Sequence, residues 1–174
     1  MKTKEMTKIA LFTAVLCIVA PMSIPIGSIP VSFTNLAVFL AVYLIGTKNG
    51  IISYLLYYLL GIFGLPVFSG YSGGLGKAAG PTGGFLIGFV FMALICGFFI
   101  EKSKHKALHL LGMILGTCTL YLFGIVWYCI ITSSSPTEAF MVCAAPFIIG
   151  DMIKAVIAVY IGSAVKERLK TAQV

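Results

Sequence analysis

Asp151 and Lys154 are the residues of this chain whose types and spacing most directly predict chemistry. They lie three positions apart in the apolar segment FIIGDMIKAVIAVY, so on a helix they share one face. A charged side chain near the middle of a membrane-spanning helix costs roughly 2.5–3.5 kcal/mol, which a neutral residue would avoid. The pair therefore predicts a binding site for a small molecule with N–H donors and a carbonyl or carboxylate. The alternative is a structural salt bridge that fixes the helix register.

Residues 69–84, which read SGYSGGLGKAAGPTGG, are the second candidate because a glycine-rich segment with a lysine can bind phosphate. A loop of that kind needs a serine or threonine directly after the lysine, and here Lys77 is followed by Ala78. The preceding residues do not predict a strand either. The segment is therefore not expected to bind a nucleotide, and Lys77 is either part of a ligand site or a solvated loop charge.

We expect this segment to act as a lid over the ligand, because glycine lets the backbone approach a ligand closely. Gly84 would open the next helix, whose N-terminus can meet a carboxylate. Tyr71 would form an aromatic wall of the site, or else be an ordinary interfacial tyrosine. The residues of this segment that we expect at the ligand are Tyr71, Gly73, Gly74 and Gly84.

Asn35 is the third candidate, in the polar interruption PVSFTNLAVFL. It lies one turn into the second predicted helix. Its side chain either caps that helix or hydrogen-bonds the ligand, and both alternatives remain open at this point.

The elements that must position these residues follow from composition. The chain has 174 residues, of which 60% are hydrophobic and only 10% are charged, so lipid is the expected solvent. Charge-free stretches predict an all-α integral membrane protein that forms a single domain over residues 1–174. The six predicted transmembrane helices cover about residues 9–28, 33–47, 50–65, 84–100, 108–132 and 140–165, with an extracellular loop at 66–83.

The basic residues predict the orientation of these helices. The net charge of +7 comes from short loops between apolar runs, which favours an anionic membrane surface over nucleic acid as the partner. Six helices place both termini on the same side, and ten of the twelve basic residues fall on that side. The positive-inside rule makes it cytoplasmic and turns residues 66–83 outward. The ten are Lys2, Lys4, Lys8, Lys48, Lys102, Lys104, Lys106, Lys166, Arg168 and Lys170.

Enzyme, metal and cofactor chemistry are not predicted. Residues 70–73 have the Gly-x-Ser-Gly form of an intramembrane serine protease, but His105 and His109 are expected on the opposite side of the membrane from Ser72. The five cysteines all lie in apolar segments without a CxxC motif, so neither a metal site nor a disulfide is indicated.

Three segments together resemble the BioY family, the biotin-specific substrate-binding (S) components of energy-coupling factor (ECF) transporters. They are PVSFTNLAVFLAVYLIG, the glycine-rich block with the apolar run before it, and GDMIKAVIA. The likeness runs from the first helix to the end of the sixth. It implies a six-helix S-component fold in the plasma membrane, an outward-facing biotin site, a transmembrane coupling protein (T component) and two cytosolic ATPases as partners.

The resemblance also implies roles for individual residues. Asp151 and Lys154 match the family's GDxxK motif, which implies that they contact the ligand. The resemblance does not tell which end of biotin each of them holds. Ala10 and Ala14 form an AxxxA face of small residues, and it matches the face that contacts the coupling protein. This chain has Thr34-Asn35 where many relatives have Gln-Thr, which leaves the ligand role of Asn35 open.

A second function from a different class is a stand-alone facilitator that works as an oligomer. The chain has no nucleotide-binding motif, so it cannot drive transport with ATP by itself. No inverted repeat is evident, and this disfavours a self-sufficient alternating-access carrier.

Overall fold

The computed structural model describes residues 3–24 and 29–171. Within these residues the chain is mostly helical, with one small hairpin. Lys2 and the predicted helix end at residue 28 lie outside the described residues, as does the side chain of Lys170. The elements in chain order are α1 (Thr3–Val19), β1 (Ser23–Ile24), β2 (Val31–Ser32), α2 (Thr34–Ile45), α3 (Thr47–Ile62), α4 (Leu75–Ala78), α5 (Gly83–Lys102), α6 (Lys106–Thr132), α7 (Pro136–Cys143) and α8 (Ile148–Thr171).

The first helix ends earlier than predicted and is followed by a β-hairpin. α1 stops at Val19 because Pro21 disfavours helical backbone at the residue before it. Strands β1 and β2 then pair antiparallel, with Ile24 opposite Val31. The prediction of an all-α chain was wrong in this respect. The hairpin matters for function because β2 leads directly into α2 and its Asn35.

The sixth predicted helix, at 140–165, is two helices. Pro146 cannot donate a backbone hydrogen bond, and the chain turns between α7 and α8 at this point. α7 begins with a capping box in which the Ser135 hydroxyl accepts from the Glu138 N–H and the Glu138 carboxylate accepts from the Ser135 N–H. The break gives α8 a start of its own, and Asp151 lies in its first turn. The other four predicted helices match α2, α3, α5 and α6 to within three residues at each end.

Small residues let α5 and α6 pack closely along most of their length. An added side-chain carbon at Gly84 would overlap Trp127, and one at Gly112 would overlap Phe99. The spacing of these glycines predicts such packing faces, and the structure confirms them.

Within residues 3–24 and 29–171, three helices are long and apolar enough to cross a membrane, judged by length and composition. They are Gly83–Lys102, Lys106–Thr132 and Ile148–Arg168, whereas α2 is apolar but has only 12 residues. The buried core lies between α2, α3 and α5, and large apolar side chains such as Leu122, Ile130 and Ile149 remain exposed on the outer faces. Exposed apolar faces of this extent are those expected of helices that face lipid.

Candidate ligand-binding site

A cavity lies at the end of the bundle where α2, α5 and α8 begin and α3 ends. The β-hairpin and the loop between α3 and α5 contribute to its walls. Its cavity volume is about 70 Å³. Its polar and charged lining residues are Ser32, Thr34, Asn35, Tyr57, Ser69, Lys77, Thr82, Tyr121, Asp151 and Lys154, and its larger apolar ones are Phe68, Phe85, Phe89 and Phe147. The cavity thus combines aromatic walls with a few polar groups, which is typical of sites for small organic molecules.

Asp151 and Lys154 lie in this cavity and form the salt bridge that their spacing predicts. The Lys154 ammonium donates to Asp151 Oδ1 at 3.0 Å and to the Ser32 carbonyl at 2.8 Å. It also lies 5.8 Å from the centre of the Phe33 ring. Because an ammonium has three N–H donors, one remains for a ligand. The bond to Ser32 connects α8 to the hairpin, so the lysine is held from two elements.

Tyr121 completes this polar wall, although no sequence pattern singles it out. Its hydroxyl donates to Asp151 Oδ2 at 2.7 Å from the middle of α6. Each oxygen of Asp151 therefore accepts one hydrogen bond from the protein and keeps a second lone pair for a ligand. A tyrosine in an aromatic-rich apolar helix carries no sequence signal that separates it from its neighbours.

Asn35 differs from the other buried polar residues of the cavity. It is only 3% exposed, and neither its side-chain oxygen nor its nitrogen has a hydrogen-bond partner among the described residues. The N-cap of α2 is Phe33 and has no side-chain cap bond. The capping role is therefore not observed. A buried amide without partners costs about 1–3 kcal/mol, and a bound ligand that supplies the partners would recover this energy.

Lys77 also lines the cavity, from the short helix α4 in the loop. Among the described residues no hydrogen bond or salt bridge engages its ammonium. The charged side chains in the lining are Lys77, Asp151 and Lys154, so the cavity carries a net charge of +1. The geometry favours a ligand site over a plain solvated charge for Lys77.

The structure does not bring Tyr71 or the predicted glycines to the cavity. Tyr71 is 69% exposed and is absent from the lining. Gly73 packs against the backbone at Leu65, and the Gly74 N–H donates to the Gly61 carbonyl at 2.7 Å. Gly84 packs against Trp127 on α6. At these positions the glycines fasten the loop and the start of α5.

The loop between α3 and α5 is held over the cavity at both ends. Phe68 is fully buried and packs edge-on against Tyr57, with their ring centres 5.7 Å apart. The Trp127 indole N–H donates to the Gly80 carbonyl at 2.9 Å. The lid is thus fixed by an aromatic anchor on α3 and a hydrogen bond to α6, and Lys77 lies between these two points.

Ala10 and Ala14 lie on the outer face of α1. Both are exposed, whereas Ile9, Thr13 and Leu16 form the buried face of the same helix. The two alanines are one turn apart and leave a shallow surface on which another helix can pack closely.

Comparison with known proteins shows which family this chain belongs to. The model of the BioY family matches residues 1–171. The chain belongs to the BioY family. A BioY protein from Pyrococcus horikoshii, named as a probable biotin transporter, is 37% identical over 161 residues, which cover 92% of this chain and 95% of that protein. The biotin transporter BioY of Thermotoga maritima is 35% identical over 164 residues, which cover 94% and 96% of the two chains.

A solved structure shows the same fold. The crystal structure of the S-component for biotin from an ECF-type ABC transporter superposes with a TM-score of 0.88 at 29% identity. The alignment covers 96% of this chain and 95% of that one. The family resemblance carried by the sequence motifs is confirmed.

Proposed function

We propose that this chain binds biotin with high affinity and serves as the membrane-embedded S component of an ECF transporter. It is a BioY-family transporter component and not an enzyme. The observation that carries the proposal is the partnerless amide of Asn35, buried in the same cavity as the Asp151–Lys154 pair. An S component must present unsatisfied polar groups that only its substrate completes.

The chemistry of biotin matches the polar wall. Its ureido group offers two N–H donors beside a carbonyl acceptor. The free lone pairs of Asp151 accept an N–H, and the remaining N–H of Lys154 donates to the carbonyl. The amide of Asn35 both donates and accepts, so it can pair with the other side of the same group. The aromatic lining then encloses the apolar bicyclic ring.

Charge balance supports a position of the other end of biotin near the lid. Asp151 and Lys154 neutralise each other, and Lys77 supplies the remaining positive charge of the cavity. The valerate carboxylate of biotin is the complementary negative charge. Thr82 lies at the N-terminus of α5 and lines the cavity, so the positive end of the α5 dipole faces the same region. We therefore assign the ureido ring to α8 and α2, and the carboxylate to Lys77.

The proposed topology has six membrane crossings formed by α1, α2, α3, α5, α6 and α8. Both termini face the cytoplasm, and the cavity opens outside the plasma membrane. Helices α1 and α3, with 17 and 16 residues, extend only about 25 Å, so the hairpin and loop at their ends make up the bilayer width. The clustering of lysines at the end of the bundle opposite the cavity supports this orientation.

The proposed partners are a T component and two cytosolic ATPases, with the exposed face of Ala10 and Ala14 contacting the T component. The chain would need no cofactor of its own, because ATP is used by the partner subunits. The stand-alone facilitator remains the alternative, and transport in membranes that lack ATPase partners would favour it.

The first test is calorimetry of biotin with the purified chain alone in detergent. We expect saturable one-to-one binding. Dethiobiotin, biotinamide and an unrelated vitamin serve as comparison ligands. Absence of binding to a chain that unfolds cooperatively on heating would contradict the assignment of biotin.

A further inference from the structure

A second pocket lies at the opposite end of the bundle and is built largely from basic residues. The Lys104 and Lys106 side chains come from the turn between α5 and α6, and Lys166 comes from α8. Ser103 and Ser163 add hydroxyl groups to the lining. We call these five residues the lysine pocket. None of them belongs to the cavity at the other end.

The polar side chains on the floor of the lysine pocket are hydrogen-bonded within the protein. The His109 ring contacts Tyr43 through Nδ1, at 2.7 Å from the phenol oxygen, and the Ser103 carbonyl through Nε2, at 2.9 Å. A carbonyl can only accept, so Nε2 donates to Ser103, and the Tyr43 hydroxyl engages the other ring nitrogen. The histidine therefore leaves no acceptor for the lysines. The Ser163 hydroxyl is likewise turned away, because it donates to the Tyr160 carbonyl at 3.0 Å.

The basic residues in the lining of the pocket outnumber the acidic ones. Among the described residues no salt bridge involves Lys104, Lys106 or Lys166, although the Lys166 ammonium lies 5.4 Å from the centre of the Tyr43 ring. Glu167 is the acidic member of the lining, and the net charge of the lining is +2. Three lysines that line one pocket with a single carboxylate give the pocket a charge that suits an anion with more than one oxygen.

The position of the pocket identifies the kind of anion. Lys106 begins α6, and Lys166 lies near the end of the apolar stretch of α8, so the pocket is at the level of the membrane surface. From there toward the middle of the bundle, exposed apolar side chains continue along both helices, namely Leu108, Leu111, Tyr160 and Ile161. A ligand with a phosphate group and attached acyl chains would meet both surfaces at once.

We propose that the lysine pocket binds the phosphate of an anionic phospholipid headgroup. On the cytoplasmic side this headgroup would come from the inner leaflet, whose anionic lipids attract basic residues near the surface. The phosphate oxygens accept from the three lysines, and the acyl chains lie along α6 and α8. The site does not depend on what the cavity at the other end binds.

The test is native mass spectrometry of the full chain in neutral detergent, titrated with dioctanoyl phosphatidylglycerol and, separately, with dioctanoyl phosphatidylcholine. We expect phosphatidylglycerol adducts to form at lower lipid concentration. A triple variant with Lys104→Gln, Lys106→Gln and Lys166→Gln should bind phosphatidylglycerol about tenfold or more weakly, because each lysine near a charged surface contributes measurably.

The matched control carries Lys4→Gln, Lys8→Gln and Lys48→Gln, which remove the same charge outside the pocket. We expect phosphatidylglycerol affinity within about twofold of the unmodified chain, since the phosphate contacts remain. Equal losses in the two triple variants would overturn the proposal, because the attraction would then be a general effect of net charge. Displacement of the lipid by inorganic phosphate at similar concentration would overturn the assignment to a lipid. Thermal unfolding of both variants checks that they are folded.

Discussion

The two polar walls of the cavity differ in how their hydrogen bonds are completed. On the α8 side, Asp151 and Lys154 are paired with each other, and Tyr121 and the Ser32 carbonyl complete the network. On the α2 side, Asn35 is also buried, but its side chain has no hydrogen-bond partner in the part of the chain that the structure describes. The first wall is organised before the ligand arrives, whereas the second depends on the ligand. Mutations should therefore affect stability and binding differently at the two walls.

The largest effect is expected from Lys154→Met, which should abolish biotin binding and also destabilise the protein without ligand. Removing one partner of a buried ion pair leaves an uncompensated charge and costs about 3–5 kcal/mol. Calorimetry measures the binding, and thermal unfolding of the ligand-free chain measures the stability.

The double variant Asp151→Asn with Lys154→Met is the matched control for this experiment. It removes both charges, so it should recover most of the lost stability while binding stays undetectable. Unchanged biotin affinity in either variant would mean that the pair has a purely structural role.

The next effect is expected from Asn35→Leu, which should weaken biotin binding about 30- to 100-fold through the loss of two hydrogen bonds. The ligand-free protein should be as stable as before or more stable, because a buried amide without partners is removed. This pattern is the opposite of the one expected at Lys154.

Thr13→Val supplies the comparison for Asn35. Thr13 is buried outside the cavity, and its hydroxyl is bonded to the Ile9 and Ser53 carbonyls. Its replacement should lower the unfolding temperature and leave biotin affinity unchanged. If Asn35→Leu instead behaved like Thr13→Val, the asparagine would have a structural role, and the contrast between the two walls would fail.

Lys77→Met tests the charge assignment and should weaken biotin binding about tenfold or less, since the lysine is only partly buried. Biotinamide, whose tail is uncharged, should bind the variant and the unmodified chain with similar affinity. An equal loss for both ligands would mean that Lys77 does not hold the carboxylate. Tyr71→Phe, in the same loop but outside the cavity, is the control and should change neither affinity.

The sequence predicted those parts of the molecule whose signals are local. Charge-free stretches located the helices, and the cost of charge in an apolar helix singled out Asp151 and Lys154, whose pairing the structure confirms. Two helix ends were missed where the breaks depend on single prolines, Pro21 and Pro146. Each proline has long apolar runs on both sides, and these runs predict one continuous helix through it.

Features of the site that depend on contacts between residues far apart in the sequence could not be predicted. Gly73 and Gly84 are predicted at the ligand because glycine permits close approach, but the close approach in the structure is to the backbone at Leu65, just after α3, and to α6. The two alternatives for Asn35 differ only in what surrounds the amide in three dimensions. Tyr121 lies 30 residues from its partner Asp151, and no spacing rule connects them.

Tyr121→Phe should have a small effect on binding, about three- to fivefold, because it removes one hydrogen bond that orients Asp151 and none that we assign to the ligand. The phenyl ring keeps the volume of the wall. Tyr128→Phe, two turns later on α6 and outside the cavity, is the control and should leave the affinity unchanged. A loss as large as that of Asn35→Leu would mean that the Tyr121 hydroxyl contacts biotin directly, and the α8 wall would then be less complete than the structure indicates.

The smallest effect on the cavity is expected from Ala14→Trp, which should leave biotin affinity of the purified chain unchanged. Ala14 is exposed on α1, and the indole has room outside the bundle. In cells that also contain the T component and the ATPases, the same variant should lose most biotin uptake, because the bulky side chain blocks close helix approach.

Leu11→Trp is the matched control for Ala14→Trp, since Leu11 is an exposed residue of the same helix that is already large. Uptake by this variant should stay near that of the unmodified chain. If uptake persisted in Ala14→Trp and also in cells without the ATPases, the facilitator alternative would explain transport better than coupling to a T component. Loss of binding together with uptake would instead indicate that α1 had been displaced, because only the cavity at the far end of the bundle holds the ligand in this proposal.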